Sequence, residues 1–286
     1  MTISLTSNIA STRAQRQLFQ TTRSLGTTFE RLSSGLRINK ASDDPAGLAV
    51  ADSLRADARI ASVAIRNAND GISITSIADG ALNEIGSILA RMAELAEQSA
   101  NGVLDTTQRS ALQNEFSQLG SEIERIAVTT TFNGVALLSN SSAISLQVGL
   151  DGSANSQIVL EGVLGTLTSL GLAGEGSSAL SVSINGDSNE AAQSASQAAL
   201  DAVNAAIGSL SATRGKVGAA ESRLNTAINF LSVARENFVA AESRIRDADI
   251  AQEAADLVRL QVLQQANVAV LAQANQQPQL ALQLLQ

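Results

Sequence analysis

The sequence contains no His, Cys, Trp or Tyr, and aromatic residues make up 2% of its 286 positions. Without His or Cys the chain cannot build a Ser-His-Asp triad, a thiol nucleophile, a zinc site of imidazole and thiolate ligands, or a disulfide. We therefore expect a protein that is not an enzyme and that binds no cofactor or metal. The chain has only two prolines, so little interrupts helix formation.

The charge balance is acidic and argues against two classes of partner. With 19 basic and 27 acidic residues the net charge is −8, which disfavours nucleic acid and anionic membranes as partners. Residues 1–12 lack the basic start of a secretory signal. Residues 260–286 are uncharged, but their eleven Gln and Asn side chains would have to be desolvated in lipid. The sequence therefore predicts a cytoplasmic protein or one exported without a cleaved signal.

Hydrophobic spacing predicts helical arms around a smaller centre that is rich in Gly and Ser. In the first arm, apolar residues alternate at spacings of four and three, as in a helical seam; they are Leu25, Phe29, Leu32 and Leu36. Asp44-Pro45 is typical of a helix start, with an N-cap followed by proline at the first helical position. We expect the helix that follows to end near Ala100, because Asn101-Gly102 is a stop signal.

A shorter helix and a β region are predicted next. Asp105 and Gln108 have the spacing of a capping box, which predicts a helix from there to about Ala127. Alternating apolar residues at 144–150 and 158–160, separated by Asp151-Gly152, then predict a β-hairpin with one or two further short strands. We expect the centre to contribute little to the core, since Gly and Ser are dense there.

The last arm has the most regular periodicity. Seven apolar residues stand seven apart without a miss, and they are Val203, Leu210, Val217, Leu224, Leu231, Phe238 and Ile245. Leu200, Ile207 and Ile228 form a companion seam. A helix this long cannot bury its stripe alone and needs partner helices. The predicted fold class is therefore mainly α, a long coiled-coil-like helical bundle with a small β-hairpin region in the middle of the chain.

The two ends of the chain predict an interface with other molecules. Apolar residues of 260–286 fall around much of the helix circumference, and no charge keeps any face in water. One partner helix, which the first arm can supply, covers one face only, so the remaining apolar surface favours self-association. The predicted polymerisation core consists of Leu18, Leu25, Phe29, Leu32, Leu260, Leu263, Val270, Leu271, Leu282 and Leu285.

Several segments resemble the bacterial flagellin family in the right order and at the right distances. In the first half these are LSSGLRINKASDDPAGLAVAD (32–52), ELAEQSANG (94–102), LQNEF (112–116) and TTFNGVALL (130–138). In the second half they are ESRLNTAINFL (221–231), AESRIRDADIAQE (241–253), LQQANVAVLAQANQQP (263–278) and LALQLL (280–285). The resemblance covers the whole chain apart from its centre.

The resemblance implies a secreted subunit of the bacterial flagellar filament, which self-assembles into the propeller that drives swimming. It implies a D0-like coiled coil of residues 1–40 and 250–286, and a D1-like helical rod of 41–249. The Gly/Ser-rich centre of that rod, 139–189, is too short for large outer domains. The implied partners are other copies of the chain, an export chaperone, the type III export apparatus, the filament cap and the hook-junction proteins.

The same resemblance implies recognition of the monomer by the vertebrate Toll-like receptor 5. Arg91, Leu95 and Glu115 fall at the recognition positions of the family. From the residues alone, these charges are more simply interpreted as the solvated face of a bundle helix, with Leu95 as seam packing.

Other candidate sites and functions stay open at this level. The carboxylate pairs Asp43/Asp44 and Asp247/Asp249 lack the spacing of a calcium loop, and capping or ion pairing explains them better. Five arginines of the first arm are expected to offset acidic residues of neighbouring subunits; they are Arg13, Arg16, Arg23, Arg31 and Arg37. A hook–filament junction protein, or an adhesin or receptor ligand, is an alternative to a filament subunit.

Overall fold

The computed structural model describes residues 7–175 and 177–283, of which 277–283 are described by their backbone alone. The described chain is mainly helical, which confirms the predicted fold class. Its helices are α1 (Ile9–Ser34), α2 (Pro45–Ala100), α3 (Thr106–Thr129), α4 (Asn189–Arg246) and α5 (Ile250–Gln283). Its short strands are β1 (Thr131–Phe132), β2 (Val135–Ala136), β3 (Ile144–Gln147) and β4 (Gln157–Leu160).

Side-chain caps define the helix starts that the sequence predicts. The Asp44 side chain accepts a hydrogen bond from the backbone N–H of Gly47, and α2 begins at Pro45. At the start of α3, Asp105 and Gln108 form the reciprocal capping box. Each cap pairs a backbone donor that the first helical turn leaves unsatisfied.

We expect Asp105→Ala to lower the free energy of unfolding by about 1 kcal/mol, because it removes the acceptor of the capping box. Chemical denaturation followed by circular dichroism measures this effect. Asp105→Asn is the matched control, since asparagine also caps helices, and it should recover most of the loss. An equal loss in both variants would contradict the capping role.

The internal contacts divide the chain into two compact units. Unit 1 consists of residues 1–58 and 236–286, and unit 2 of residues 59–235. The domain limits that the sequence predicts, at 40/41 and 249/250, stay predictions. In unit 1 they coincide with breaks between helices, before α2 and before α5.

In unit 1, the α1–α2 connection is hydrogen-bonded to the α4–α5 connection. Gly35 caps α1 with a φ of 72°, the left-handed conformation that glycine adopts without strain. Just beyond it, Leu36 forms an antiparallel β-bridge with Asp247. Arg37 donates its backbone N–H to the Arg246 carbonyl at 2.6 Å, and Ala248 donates to the Gly35 carbonyl at 2.9 Å. The α1–α2 and α4–α5 connections therefore form a single hydrogen-bonded element.

The core of unit 2 lies along the regular seam of α4. The predicted residues Val203, Leu210, Val217, Leu224 and Leu231 are all buried. The residues of the predicted companion seam, Leu200, Ile207 and Ile228, pack against the core but are only half-buried. Alanines occupy the buried positions beside the seam instead, namely Ala199, Ala206 and Ala220. Small side chains there let neighbouring helices approach closely, and the larger isoleucines lie at the margin.

The centre of the chain contributes more to the core than its composition predicts. The hairpin of β3 and β4 is confirmed, with Ile144 opposite Leu160 and Gln147 opposite Gln157. A second small hairpin, β1–β2, turns at Asn133-Gly134, both at positive φ. Contrary to expectation, six apolar side chains of the Gly/Ser-rich stretch (139–189) are buried in the unit 2 core: Leu160, Val163, Leu167, Leu170, Leu172 and Ile184.

Candidate assembly surfaces

In unit 1, α1 and α5 form an antiparallel pair whose buried face follows a heptad spacing. Arg31 pairs with Glu253 at 3.3 Å, and near the opposite end Ser11 donates to the Asn275 side chain at 2.7 Å. On α1 the seam consists of Ser11, Ala14, Leu18, Thr21, Leu25, Thr28 and Leu32. On α5 it consists of Glu253, Leu257, Leu260, Gln264, Asn267, Leu271 and Ala274. We call these two sets the inner seam.

The inner seam is unusually polar for a helix pair. Ser11, Thr21 and Thr28 are buried in it. Asn267 donates its side-chain N–H to the Thr21 hydroxyl at 3.0 Å, and Asn8 donates to the Ala274 carbonyl at 2.9 Å. The Ser11, Thr21 and Asn267 side chains are hydrogen-bonded, so their burial is tolerated, but they add little net stability compared with apolar packing. Polar pairs inside a seam fix its register.

The predicted polymerisation residues separate into two groups. Leu18, Leu25, Leu32, Leu260 and Leu271 pack in the inner seam, where they are buried or half-buried. Phe29, Leu263 and Val270 are exposed, Phe29 by 63%. The Leu282 side chain and the whole of Leu285 lie outside the described residues.

A second heptad series runs along the opposite side of α5. Moving every inner-seam position of α5 back by two residues rotates it by roughly 200°, to the far side of the helix. These positions, which we call the outer seam, are Ala251, Ala255, Val258, Val262, Gln265, Ala269 and Ala272. All seven are exposed, and Val258 and Val262 each keep 59% of their surface. The predicted polymerisation core does not include Val258, although its spacing of four from Val262 is the signal that identifies it.

The residues predicted for receptor recognition lie in unit 2 and are only partly at the surface. Arg91 on α2 donates its Nε–H to the Glu115 carboxylate of α3 at 3.0 Å, and it also bonds Glu94 at 2.9 Å. The hydrogen bonds that Arg91 donates to Glu94 and, with a smaller effect, to Glu115 raise the pKa of its guanidinium. Leu95 is fully buried beneath this surface. The structure therefore brings Arg91 and Glu115 together, whereas Leu95 packs in the core.

Three of the four paired carboxylates, Asp43, Asp44 and Asp249, accept hydrogen bonds from backbone N–H groups. Asp43 accepts from the N–H groups of Lys40 and Asn39, which lower its pKa, and Asp249 accepts from the first N–H groups of α5. Among the described residues, no group of three or more acidic side chains could hold a metal ion. Within residues 7–175 and 177–283, none of the helices has the length and hydrophobicity that a membrane span requires.

The fold and these surfaces define a helical structural protein. Comparison with known proteins gives the particular family. The family described as "Bacterial flagellin N-terminal helical region" matches residues 5–143, and "Bacterial flagellin C-terminal helical region" matches residues 200–285. The chain belongs to the bacterial flagellin family.

The sequences of individual flagellins match this chain along nearly its whole length. A flagellin of Halalkalibacterium halodurans is 43% identical over 258 residues, covering 90% of each chain. A flagellin of Bacillus subtilis is 38% identical and covers 97% of this chain and 98% of its own. A putative flagellar hook-associated protein of Vibrio parahaemolyticus shares the fold, with a TM-score of 0.58, 15% identity, and coverage of 72% of this chain and 100% of its own. The protein is thus a structural subunit of the extracellular flagellar filament and not an enzyme.

Proposed function

We propose that the protein assembles into the filament through the α1–α5 pair, with the outer seam of α5 buried between copies. The observation that carries this proposal is the arrangement of the pair: hydrogen-bonded polar groups lie inside, and an uncharged seam with Ala or Val at six of its seven positions lies outside. A helix face of this spacing is suited to packing against another helix. Neighbouring copies supply that helix.

The energetics support burial of the outer seam on assembly. At roughly 25 cal/mol per Å² of apolar surface, burying what remains exposed of Val258 or Val262 contributes about 1 kcal/mol for each side chain. Exposed apolar residues on the rest of the pair add to this, among them Ile9, Phe19, Phe29, Val268 and Val270. In addition, no charged side chain of residues 260–286 has to be desolvated.

Removing residues 260–286 tests this assignment. We expect the truncated chain to form no filaments, as judged by negative-stain microscopy and sedimentation, because it lacks most of the α5 surface. Its unit 2 should keep its helical circular dichroism, since the core of that unit contains no residue of α5. Filaments of normal yield from the truncated chain would refute the role of α5.

We also propose the further partners that the family resemblance implies. Before assembly the outer seam must be kept from premature contact, and an export chaperone that covers α5 would do this. Export through the type III apparatus, capping at the filament tip and contact with the hook-junction proteins belong to the same proposal. A pull-down of the chaperone with the full chain and with the chain lacking 260–286 tests the first of these contacts.

We also propose recognition of the monomer by Toll-like receptor 5, through the surface formed by Arg91 and Glu115. The two side chains join α2 to α3 and remain exposed, so a receptor can reach both. Leu95 contributes by packing beneath them rather than by direct contact.

We expect Arg91→Ala and Glu115→Ala each to raise the half-maximal concentration in a receptor reporter-cell assay by about tenfold or more, as for residues at the centre of an interface. Arg125→Ala, which removes an exposed intrahelical ion pair of α3, is the matched control and should have little effect. Equal responses from all three variants and the unmodified protein would refute recognition at this surface.

A further inference from the structure

Three arginines form an outward stripe on α1. Arg13, Arg16 and Arg23 each lie two residues beyond an inner-seam position, which places them on the side of α1 away from α5. All three are exposed, and none forms an ion pair with any described residue. The sequence contains no Asp or Glu from residue 9 to residue 29, nor from 260 to 286. We call these three residues the basic stripe.

The remaining arginines of this series already have partners within the chain. Arg31 pairs with Glu253 across the inner seam, and Arg37 donates to the Ile245 carbonyl at 2.7 Å. The basic stripe differs because the neighbouring part of α5 carries no carboxylate at all. Its counter-charge must come from solvent ions or from another molecule.

The acidic residues of unit 1 are concentrated elsewhere, in segments 30–57 and 236–256. Most of them are occupied, because Glu30, Asp52, Glu242, Glu253 and Asp256 form ion pairs. Asp43, Asp44 and Asp249 accept backbone hydrogen bonds, and Asp247 accepts from Ser243. Asp57 and Glu236 make no hydrogen bond or ion pair with the described residues.

Unit 1 therefore differs in net charge along its length, because segments 30–57 and 236–256 together hold eleven acidic and six basic side chains, whereas the basic stripe has no acidic neighbour in sequence. The basic stripe lies apart from the acidic segments of α2 and α4. The part of α1 between Arg23 and Ser34 already measures about 16 Å, at roughly 1.5 Å per residue. Two copies side by side without displacement would place basic stripe next to basic stripe, which is unfavourable. If the second copy is instead displaced along the helix direction, the basic stripe of one copy lies next to carboxylates of the other.

We infer that the basic stripe of one copy contacts Asp57 and Glu236 of a second copy that is displaced along the α1–α5 pair. This inference rests on the proposed assembly through unit 1 and specifies which part of the neighbour is contacted. The contact joins two different surfaces of identical molecules, so it repeats without closing and leads to an open helical polymer rather than a dimer. The outer seam supplies apolar burial, and the charges select the displacement between copies.

Charge reversal of each side tests the contact. At low ionic strength, we expect R16E/R23E to raise the critical concentration for assembly by about tenfold, because favourable exposed ion pairs become repulsive contacts. D57K/E236K should have a similar effect. The control R66E/R223E reverses two exposed arginines of unit 2 that have no ion-pair partner in the described chain, and it should assemble like the unmodified protein.

Mixing the two defective variants gives the decisive result. An equimolar mixture of R16E/R23E and D57K/E236K is expected to co-assemble with nearly unmodified critical concentration, since each reversed surface meets its complement on the other variant. In 1 M salt, where the screening length falls to about 3 Å, the defect of each single variant should shrink. Circular dichroism of each monomer verifies that its helices are intact.

Normal assembly of R16E/R23E, or a mixture that stays as inactive as its components, would overturn the inference. Both results leave the proposed function intact as long as the unmodified chain forms filaments. Failure of the unmodified chain to assemble under any salt condition would instead refute the proposed function itself.

Discussion

Replacing Val258 and Val262 by aspartate is expected to abolish filament formation and to leave the monomer folded. Both side chains are 59% exposed in the isolated chain, so the substitution removes little packing there. In the filament the two carboxylates would be buried against a neighbouring helix. Burying an unpaired charge costs several kcal/mol. Two such penalties should raise the critical concentration by at least about a hundredfold, at 1.4 kcal/mol for each factor of ten.

The matched control is V103D/V159D, which places the same charges on exposed valines of unit 2, in the α2–α3 connection and in β4. Sedimentation of assembled material measures the critical concentration of both variants, and circular dichroism measures their helix content. We expect only V258D/V262D to remain in the supernatant. Normal assembly of V258D/V262D would mean that the outer seam stays in water in the filament.

Arg109→Met is expected to lower the free energy of unfolding by about 2–3 kcal/mol. The Arg109 side chain is fully buried at the start of α3, where it donates to the carbonyls of Asn101 and Asn189 at 3.0 and 2.9 Å. It thereby joins the α2–α3 connection to the first residue of α4. Methionine fills similar space but cannot donate to either carbonyl, and a hydrogen bond from a charged group contributes about 1.5–3 kcal/mol.

Urea denaturation followed by circular dichroism measures the loss. Arg125→Met serves as the control, because Arg125 is exposed on the same helix and pairs only with Glu122, one turn away. We expect this control to change the stability by less than about 0.5 kcal/mol. Equal stabilities of the two variants would show that water replaces the buried guanidinium at no cost.

Much of the helical architecture could be predicted from local signals. Asp44-Pro45 and the Asp105–Gln108 pair predict helix starts because capping depends on residues within one turn. The heptad series from Val203 to Leu231 predicts a buried seam because one periodic face must be covered. These signals need no knowledge of distant contacts.

The core contribution of the centre could not be predicted in the same way. Leu167, Leu170 and Leu172 lie in irregular backbone among Gly, Ser and Thr, so no period identifies them. They are buried because distant parts of the chain fold over them; for example, the Leu167 N–H bonds the Glu124 side chain of α3. Composition alone predicted a loop there, and tertiary packing overrides it.

The pairing of α5 with α1 can be predicted in outline but not in detail, and its role in assembly stays a proposal. The lack of charge in 260–286 correctly directs attention to α5 and its pairing with α1. Which apolar residues face inward depends on the register, and polar groups such as Thr21 and Asn267 fix that register. Hydrophobicity averaged along the helix does not detect how polar groups fix the register. For this reason the sequence places Leu260 and Val270 in one predicted group, although only Leu260 is buried.

The β-bridge between Leu36 and Asp247 has a mechanical consequence. Since both connections out of the α1–α5 pair are tied to each other, neither can rotate about its own backbone without breaking the hydrogen bonds of Arg37 and Ala248. If the chain bends at this bridge, the α1–α2 and α4–α5 connections must move together, as the two sides of a hinge with one axis do. Torque applied to one connection is then transmitted to the other through the bridge rather than lost in independent twisting.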